Sequence, residues 1–325
     1  MYKGSKVLVA GGSGVIGIPM VKELVSRGAI VTAVGMESVE VATMYLPPNV
    51  NYIQGNLLDL NYCKSVFREH SIVLNLAGTK RSVGIGYKGI SKFFVDMIRL
   101  QTNIMEVAHE SNVERFLFVG SISEYPSIDV RSEDEVWKGK PAQNDWFTGV
   151  QKRIGESQGE AYFLDTGWDA VRVIRPSNVY GPFDNFGEEN GQVIPALISK
   201  LLRNSQKLQI IGDGTNLRDF IFADDVAYWA LEALEKSPPN FPLNIGSGIG
   251  TSVKDIAENL VDILGGDTLI EYLPTKNSGD KVRILDIDRA KATLGFEPSI
   301  SIKEGLKRTV SWIKTNENWN RSKYL

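Results

Sequence analysis

The sequence predicts an α/β fold, a doubly wound parallel sheet followed by a smaller C-terminal lobe, from three observations. Residues 7–17 read VLVAGGSGVIG, an apolar run that opens onto Gly11, Gly14 and Gly17. Short β-branched runs then alternate with helical patterns as far as Ile174. Beyond Tyr180 that rhythm gives way to loops rich in Gly, Asn and Pro.

Taken in order, residues 7–9, 30–34, 50–54, 72–76, 116–120 and 170–174 are apolar runs of strand length, and residues 18–27, 91–111 and 149–164 carry helical periodicity. Parallel strands joined by right-handed helical crossovers form a Rossmann-type sheet in the order 3-2-1-4-5-6. Downstream, the pattern predicts helices over 194–203, 223–235, 253–264 and 302–315 and a strand over 208–211. The expected division is a dinucleotide-binding domain over 1–177, re-entered near 219–246, and a substrate-binding lobe formed mainly by 178–325.

Composition narrows the function classes. The 325 residues are 42% hydrophobic and 23% charged, with a formal net charge of -3. Without a basic stripe the chain is not expected to bind nucleic acid, since phosphate-backbone binding needs clustered Lys and Arg. No apolar run is long enough to span a bilayer and no leader-like pattern opens the sequence, so no membrane association is expected. The lone cysteine, Cys63, fits a reducing cytoplasm. His70 and His109 read as helix-surface residues away from any ligand cluster, and no metal is expected.

The glycine turn points to a dinucleotide. Three glycines after a strand let the backbone turn tightly, approach a pyrophosphate and pack the following helix, whose N-terminus holds phosphate. Gly11, Gly14, Val15, Ile16 and Gly17 are therefore expected to cradle NAD or NADP. At the end of the second strand Glu37 is placed to bind a ribose 2′-hydroxyl, while Gly35 and Ser38 leave room for a 2′-phosphate, so both cofactors stay open here. Asn56 and Leu57 fall where an adenine edge is read, and Leu76 and Ala77 where the nicotinamide ribose lies.

These motifs, with NLAGTK at 75–80, FVGSISEYP at 118–126, KRIGE at 152–156, RPSNVYGPFDNF at 175–186, QVIPALISK at 192–200 and GDGTNLRDFIFADDV at 212–226, resemble the extended short-chain dehydrogenase/reductases. Within them the resemblance is to the NAD-dependent epimerase/dehydratase family, and in motif most to its GDP-L-fucose synthase branch. It implies an NAD(P)-dependent enzyme, active as a homodimer on a nucleotide-diphosphate sugar, GDP-hexose being favoured. It also implies cofactor contacts at Lys152, Pro176 and Asn178, and substrate contacts at Lys80, Ser121, Tyr125, Asn178, Val193, Lys200, Arg218 and Arg283. The dimer contact falls on helices 91–111 and 149–164, with Phe93, Phe94, Ile98 and Met105 supplying apolar surface.

Chemistry in the resembled family rests on a Ser or Thr, a Tyr and a Lys. Ser121 and Lys152 match, but Thr148 stands where the Tyr belongs, and a threonine hydroxyl is far too weak an acid for that role. Trp146 and Phe147 depart from the pattern as well. The Cys and His that move protons at carbon in the fucose synthases are Ser123 and Phe183 here, and the Asp-Glu pair of the 4,6-dehydratases is Ile122 and Ser123. The expected catalytic set is Ser121, Ser123, Thr148 and Lys152, with Lys152, Tyr125 or Glu124 taking over from the phenol. A 4-keto reductase, epimerase or dehydratase is one reading; a catalytically silent protein that binds dinucleotide and sugar nucleotide is the other.

Overall fold

The computed structural model describes residues 1–78, 88–187, 191–274 and 279–316. At its centre is a seven-stranded, wholly parallel sheet. From one edge its strands are Asn51–Gln54, Ile30–Gly35, Lys6–Ala10, Ile72–Asn75, Arg115–Val119, Val171–Pro176 and Leu243–Ile245. The expected order of six is present, and Leu243–Ile245 returns from the second half of the chain to add a seventh strand beside Val171–Pro176. Burial on both faces explains why these strands read as continuous apolar runs rather than alternations. Val7, Leu8, Val9 and Ala10 are all fully buried.

Helices Gly17–Ser26, Ile90–Glu110, Trp146–Thr166 and Ala223–Lys236 cover the sheet. Met105, expected on a dimer face, is instead fully buried in the core with Ile104 and Ala108, because its side of the helix packs on the sheet. Phe93, Phe94 and Ile98 are half-buried, and Phe94 meets Phe147 of the neighbouring helix edge-on at 5.5 Å.

A second sheet lies beyond the carboxyl ends of the central strands. Leu217–Phe222 pairs with Gly250–Ser252, Val282–Leu285 and Asn178–Tyr180, and Val282–Leu285 pairs in turn with Val130–Arg131. This sheet thus draws on chain from both halves of the sequence. A separate two-stranded pair joins Lys207–Ile211 to Leu269–Leu273. The crevice between the first sheet's strand ends and this second layer is where ligands bind in open α/β folds.

His70 corrects the expectation of a helix-surface residue: it follows the helix Leu60–Val66 and its Nε2 lies 3.0 Å from Thr32 Oγ1. His109 does sit on a helix, Ile90–Glu110, half-buried and stacked on Tyr162 at 4.1 Å. Among the described residues no helix is long and apolar enough to cross a membrane.

Candidate active site

Gly11 adopts φ +81°, and a Cβ there would lie 2.8 Å from the Leu76 carbonyl carbon and 2.9 Å from the Ala77 nitrogen. The turn after the first strand is therefore pressed against the end of the fourth, which only glycine permits. Val15 packs into the core, and Ile16, half-buried, is the N-cap residue of the helix Gly17–Ser26. Glu37, 3% exposed, folds back to accept a hydrogen bond from Ser13 Oγ inside that turn. The space expected beside Gly35 is filled. A Cβ there would lie 2.7 Å from the Tyr52 hydroxyl and 3.0 Å from Glu37 Oε2, while Ser38 Oγ caps the helix Val39–Thr43. Asn56 is exposed with its Oδ1 accepting from Leu58 N at 3.0 Å, and the Leu57 side chain is buried.

The segment expected to be catalytic begins where the strand Arg115–Val119 ends. Ser121 is extended at φ -165° and opens the 3₁₀ turn Ile122–Glu124. Its Oγ accepts from Ser123 N at 3.1 Å, and its own amide donates to Glu124 Oε1 at 2.6 Å. The helix Trp146–Thr166 comes against this turn because position 149 carries no side chain. A Cβ on Gly149 would collide with the Ser123 carbonyl and lie 2.7 Å from Pro141 Cβ.

Asp145, at the N-cap of that helix, and Thr148 and Lys152 on it follow at i, i+3 and i+7, a spacing that brings them to one side. Lys152 Nζ donates to the Val119 carbonyl at 2.7 Å and lies 5.4 Å from the centre of the Phe118 ring. Loss of hydration pulls its ammonium down to about 8, against a smaller upward pull from the carboxylates of Glu124 and Glu156. Thr148, one turn earlier, makes no side-chain hydrogen bond among the described residues.

Asp145 completes the wall. Its Oδ1 accepts from Ser123 Oγ at 3.4 Å and its Oδ2 lies 2.5 Å from Arg283 Nη2. Arg283 and Arg218 are register partners on adjacent parallel strands and feel one another's charge, and Arg283 reaches the Ser123 side of the site through Asp145. Arg218 donates to the carbonyls of Leu217 at 2.8 Å and Lys281 at 3.5 Å. Burial, reinforced by the charge of Arg283, draws its guanidinium below the usual value, though Arg stays cationic at neutral pH.

Tyr125 and Glu124 do not face this crevice, a correction to the sequence reading. Tyr125 is fully buried, its hydroxyl donating to Asn244 Oδ1 at 2.5 Å and accepting from Arg175 Nη1 at 3.2 Å. Glu124 is likewise fully buried, beside Glu156 and Arg175. The 3₁₀ turn carries both side chains behind the sheet edge while Ser121 and Ser123 stay in front.

Asn178 is half-buried and donates to the Asp219 carbonyl at 2.7 Å. Pro176 ends its strand buried, and Val193 is exposed at a helix start. Lys200 reaches away to the Gln209 carbonyl at 3.3 Å. Lys80 lies outside the described residues. Phe183, at φ +67°, packs edge-on against Trp312 with ring centres 4.7 Å apart. Asp225 accepts from the amides of Ser299 and Ile300 at 3.1 and 3.0 Å and so holds that loop. A cleft of about 370 Å³ lined by Trp137, Trp146 and Arg153 lies on the opposite face of the helix from Lys152.

Residues 7–246 match the model of the NAD dependent epimerase/dehydratase family. The chain belongs to this family. It is 27% identical to GDP-L-fucose synthase 1 of Arabidopsis thaliana, with 97% of the chain and 94% of the relative covered. It is also 27% identical to the human dTDP-D-glucose 4,6-dehydratase, covering 97% and 91%. Among solved structures, UDP-glucose 4-epimerase of Thermotoga maritima, determined with UDP-glucose, superposes with a TM-score of 0.84 at 29% identity, covering 96% and 99%. These relatives are named as a synthase, a dehydratase and an epimerase of nucleotide-linked sugars.

Proposed function

We propose that the protein is an NAD-dependent oxidoreductase of a nucleoside diphosphate sugar, in which Lys152 holds the proton that a tyrosine would otherwise carry. The observation that carries this reading is the desolvated Lys152 ammonium, at about 8, on the same helix face as a Thr148 hydroxyl too weakly acidic to serve. Burial has already brought the lysine into the range of a useful acid and base near neutral pH.

The glycine turn and Glu37 fit a dinucleotide whose ribose hydroxyls bind a carboxylate. With no Lys or Arg between residues 35 and 56 and the space beside Gly35 filled, they favour NAD over NADP. Bound there, the cofactor supplies or accepts hydride. Ser121 Oγ already accepts from Ser123 N, which leaves its own O–H to orient a sugar oxygen. Lys152 gives that oxygen a proton as its carbon is reduced and removes it in reverse. Arg218 and Arg283 take the diphosphate. With Ser123 and Phe183 in place of groups that exchange protons with carbon, chemistry centred on one C–O bond is favoured over double epimerisation. The match to fucose synthases supports a GDP-linked hexose, and the half-buried Phe93, Phe94 and Ile98 support a homodimer through the two long helices.

The test is a panel of GDP-, UDP- and dTDP-linked 4-keto-hexoses with NADH and NADPH, followed by nicotinamide absorbance at about 340 nm. Reduction is expected with NADH, falling as pH rises through about 8 while Lys152 loses its proton. Lys152→Met is expected to cost about 100-fold or more. A reduction rate flat from about pH 7 to about pH 9 overturns the role of Lys152. Dinucleotide binding without turnover across the panel makes the chain a silent binder instead.

A further inference from the structure

Asp145 is a carboxylate in the middle of a set of groups suited to an anion. Its ion pair with Arg283 is close, 2.5 Å, yet Asp145 Oδ2 has no hydrogen-bond partner, so the two groups touch without being aligned. Arg283 Nε is buried and has no acceptor among the described residues. Both side chains are about one-eighth exposed, at 12% and 13%, so the pair lines the crevice rather than the core. Arg218, the strand neighbour of Arg283, makes no close ion pair among the described residues, although the charges of Asp280 and Asp145 reach it. The nearby pair differs: Arg131 is fully buried and bonds Asp280 at 2.8 Å while also donating to the Ile122 carbonyl at 3.2 Å.

We propose that Asp145 is a displaceable latch on Arg283. A diphosphate entering the crevice takes the guanidinium in a bidentate contact that uses the unsatisfied Nε–H, and the released carboxylate, beside Ser123, accepts a hydroxyl of the attached sugar. Recognition of the phosphate and recognition of the sugar are thereby coupled through one side chain. The step breaks and forms only hydrogen bonds and ion pairs. It rests on the proposed function in taking a nucleoside diphosphate sugar as the ligand.

Two consequences follow from charge alone. Asp145→Asn keeps shape but removes the competing anion, so a bare nucleoside diphosphate should bind more tightly. The same change removes the acceptor for the sugar, so the advantage of the sugar-linked nucleotide over the bare one should shrink.

Calorimetric titration with GDP, UDP and dTDP, and with the hexose-linked form of whichever binds, tests both. Asp145→Asn is expected to tighten the bare diphosphate by about tenfold, within the usual range of coupling between two ligands. In an Arg283→Ala background that gain should vanish, because it is transmitted through the guanidinium. Circular dichroism of each variant checks that the fold is intact, and comparing Asp145→Asn with Asp145→Ser supplies a second route should one fail to fold. An unchanged or weakened affinity for the bare diphosphate, or a gain that persists without Arg283, overturns the latch while leaving the site reading in place. Absence of any nucleoside diphosphate binding to the unaltered protein overturns both.

Discussion

Two ionic clusters lie on either side of the 3₁₀ turn Ile122–Glu124, built from the same residue types and put to opposite uses. In front, Asp145, Arg218 and Arg283 line the crevice. Behind, Arg175 is clamped by Glu156 through Nε–Oε1 at 2.8 Å and Nη2–Oε2 at 2.6 Å, with Glu124 Oε2 at 3.4 Å. Arg175 also donates to the Glu133 carbonyl at 3.0 Å, so its donors are spent on neighbours within the protein. A guanidinium whose hydrogen bonds are all met inside the fold holds structure together; one with a buried, unmet N–H is poised to bind. Charge content alone would not separate them.

The largest expected difference comes from truncating the arginine in each. Arg175→Ala strips the cation from two buried carboxyls and should cost about 3–5 kcal/mol of unfolding free energy, the usual penalty for breaking a buried pair. Arg283→Ala should cost less, about 1–3 kcal/mol, because its partner Asp145 is not fully buried and keeps its hydrogen bond from Ser123. Urea denaturation of the two variants measures the contrast. Equal losses would mean the crevice cluster is as structural as the buried one.

A smaller effect tests how tightly the rear cluster is packed. A Cβ on Gly120 would collide with Glu124 Oε1 and lie 3.0 Å from Arg175 Cγ and 3.2 Å from Glu156 Oε1. Gly120→Ala is therefore expected to cost about 1–3 kcal/mol by overpacking. Thermal unfolding reads it, and no change would show that the carboxyls can swing aside.

Legibility in the sequence followed periodicity and burial. Strands buried on both faces and long amphipathic helices were readable, and residues 253–264 and 302–315 are helices with the predicted bounds. Val130–Arg131 and Val282–Leu285 were not, since strands of two and four residues carry too little pattern. Ser121, Thr148 and Lys152 could be placed from motif spacing. Asp145 was missed although its i, i+3, i+7 relation to Thr148 and Lys152 was there to find, because no motif includes it. Glu124 and Tyr125 were misplaced for a physical reason: adjacency to Ser121 along the chain says nothing about which side of a 3₁₀ turn a side chain takes.

The finest test concerns the charge on Glu124. Burial, and then the neighbouring Glu156 carboxylate, raise its carboxyl well above the ordinary value, outweighing the pull of Arg175. The folded protein therefore keeps a proton on Glu124 in a pH window where the unfolded chain, titrating near 4.5, has already released it. Folded protein binds more protons there, so the contribution of Glu124 to stability is full below about pH 4.5 and is lost as pH rises through the folded value. Glu124→Gln mimics the protonated form and should flatten stability against pH across that window, with a change below about 1 kcal/mol at its acidic end. Denaturant midpoints measured from about pH 4.5 upward make the comparison. A wild-type curve that rises rather than falls relative to Glu124→Gln would mean Glu124 is ionised in the fold, and that the rear cluster carries a second negative charge beside Glu156.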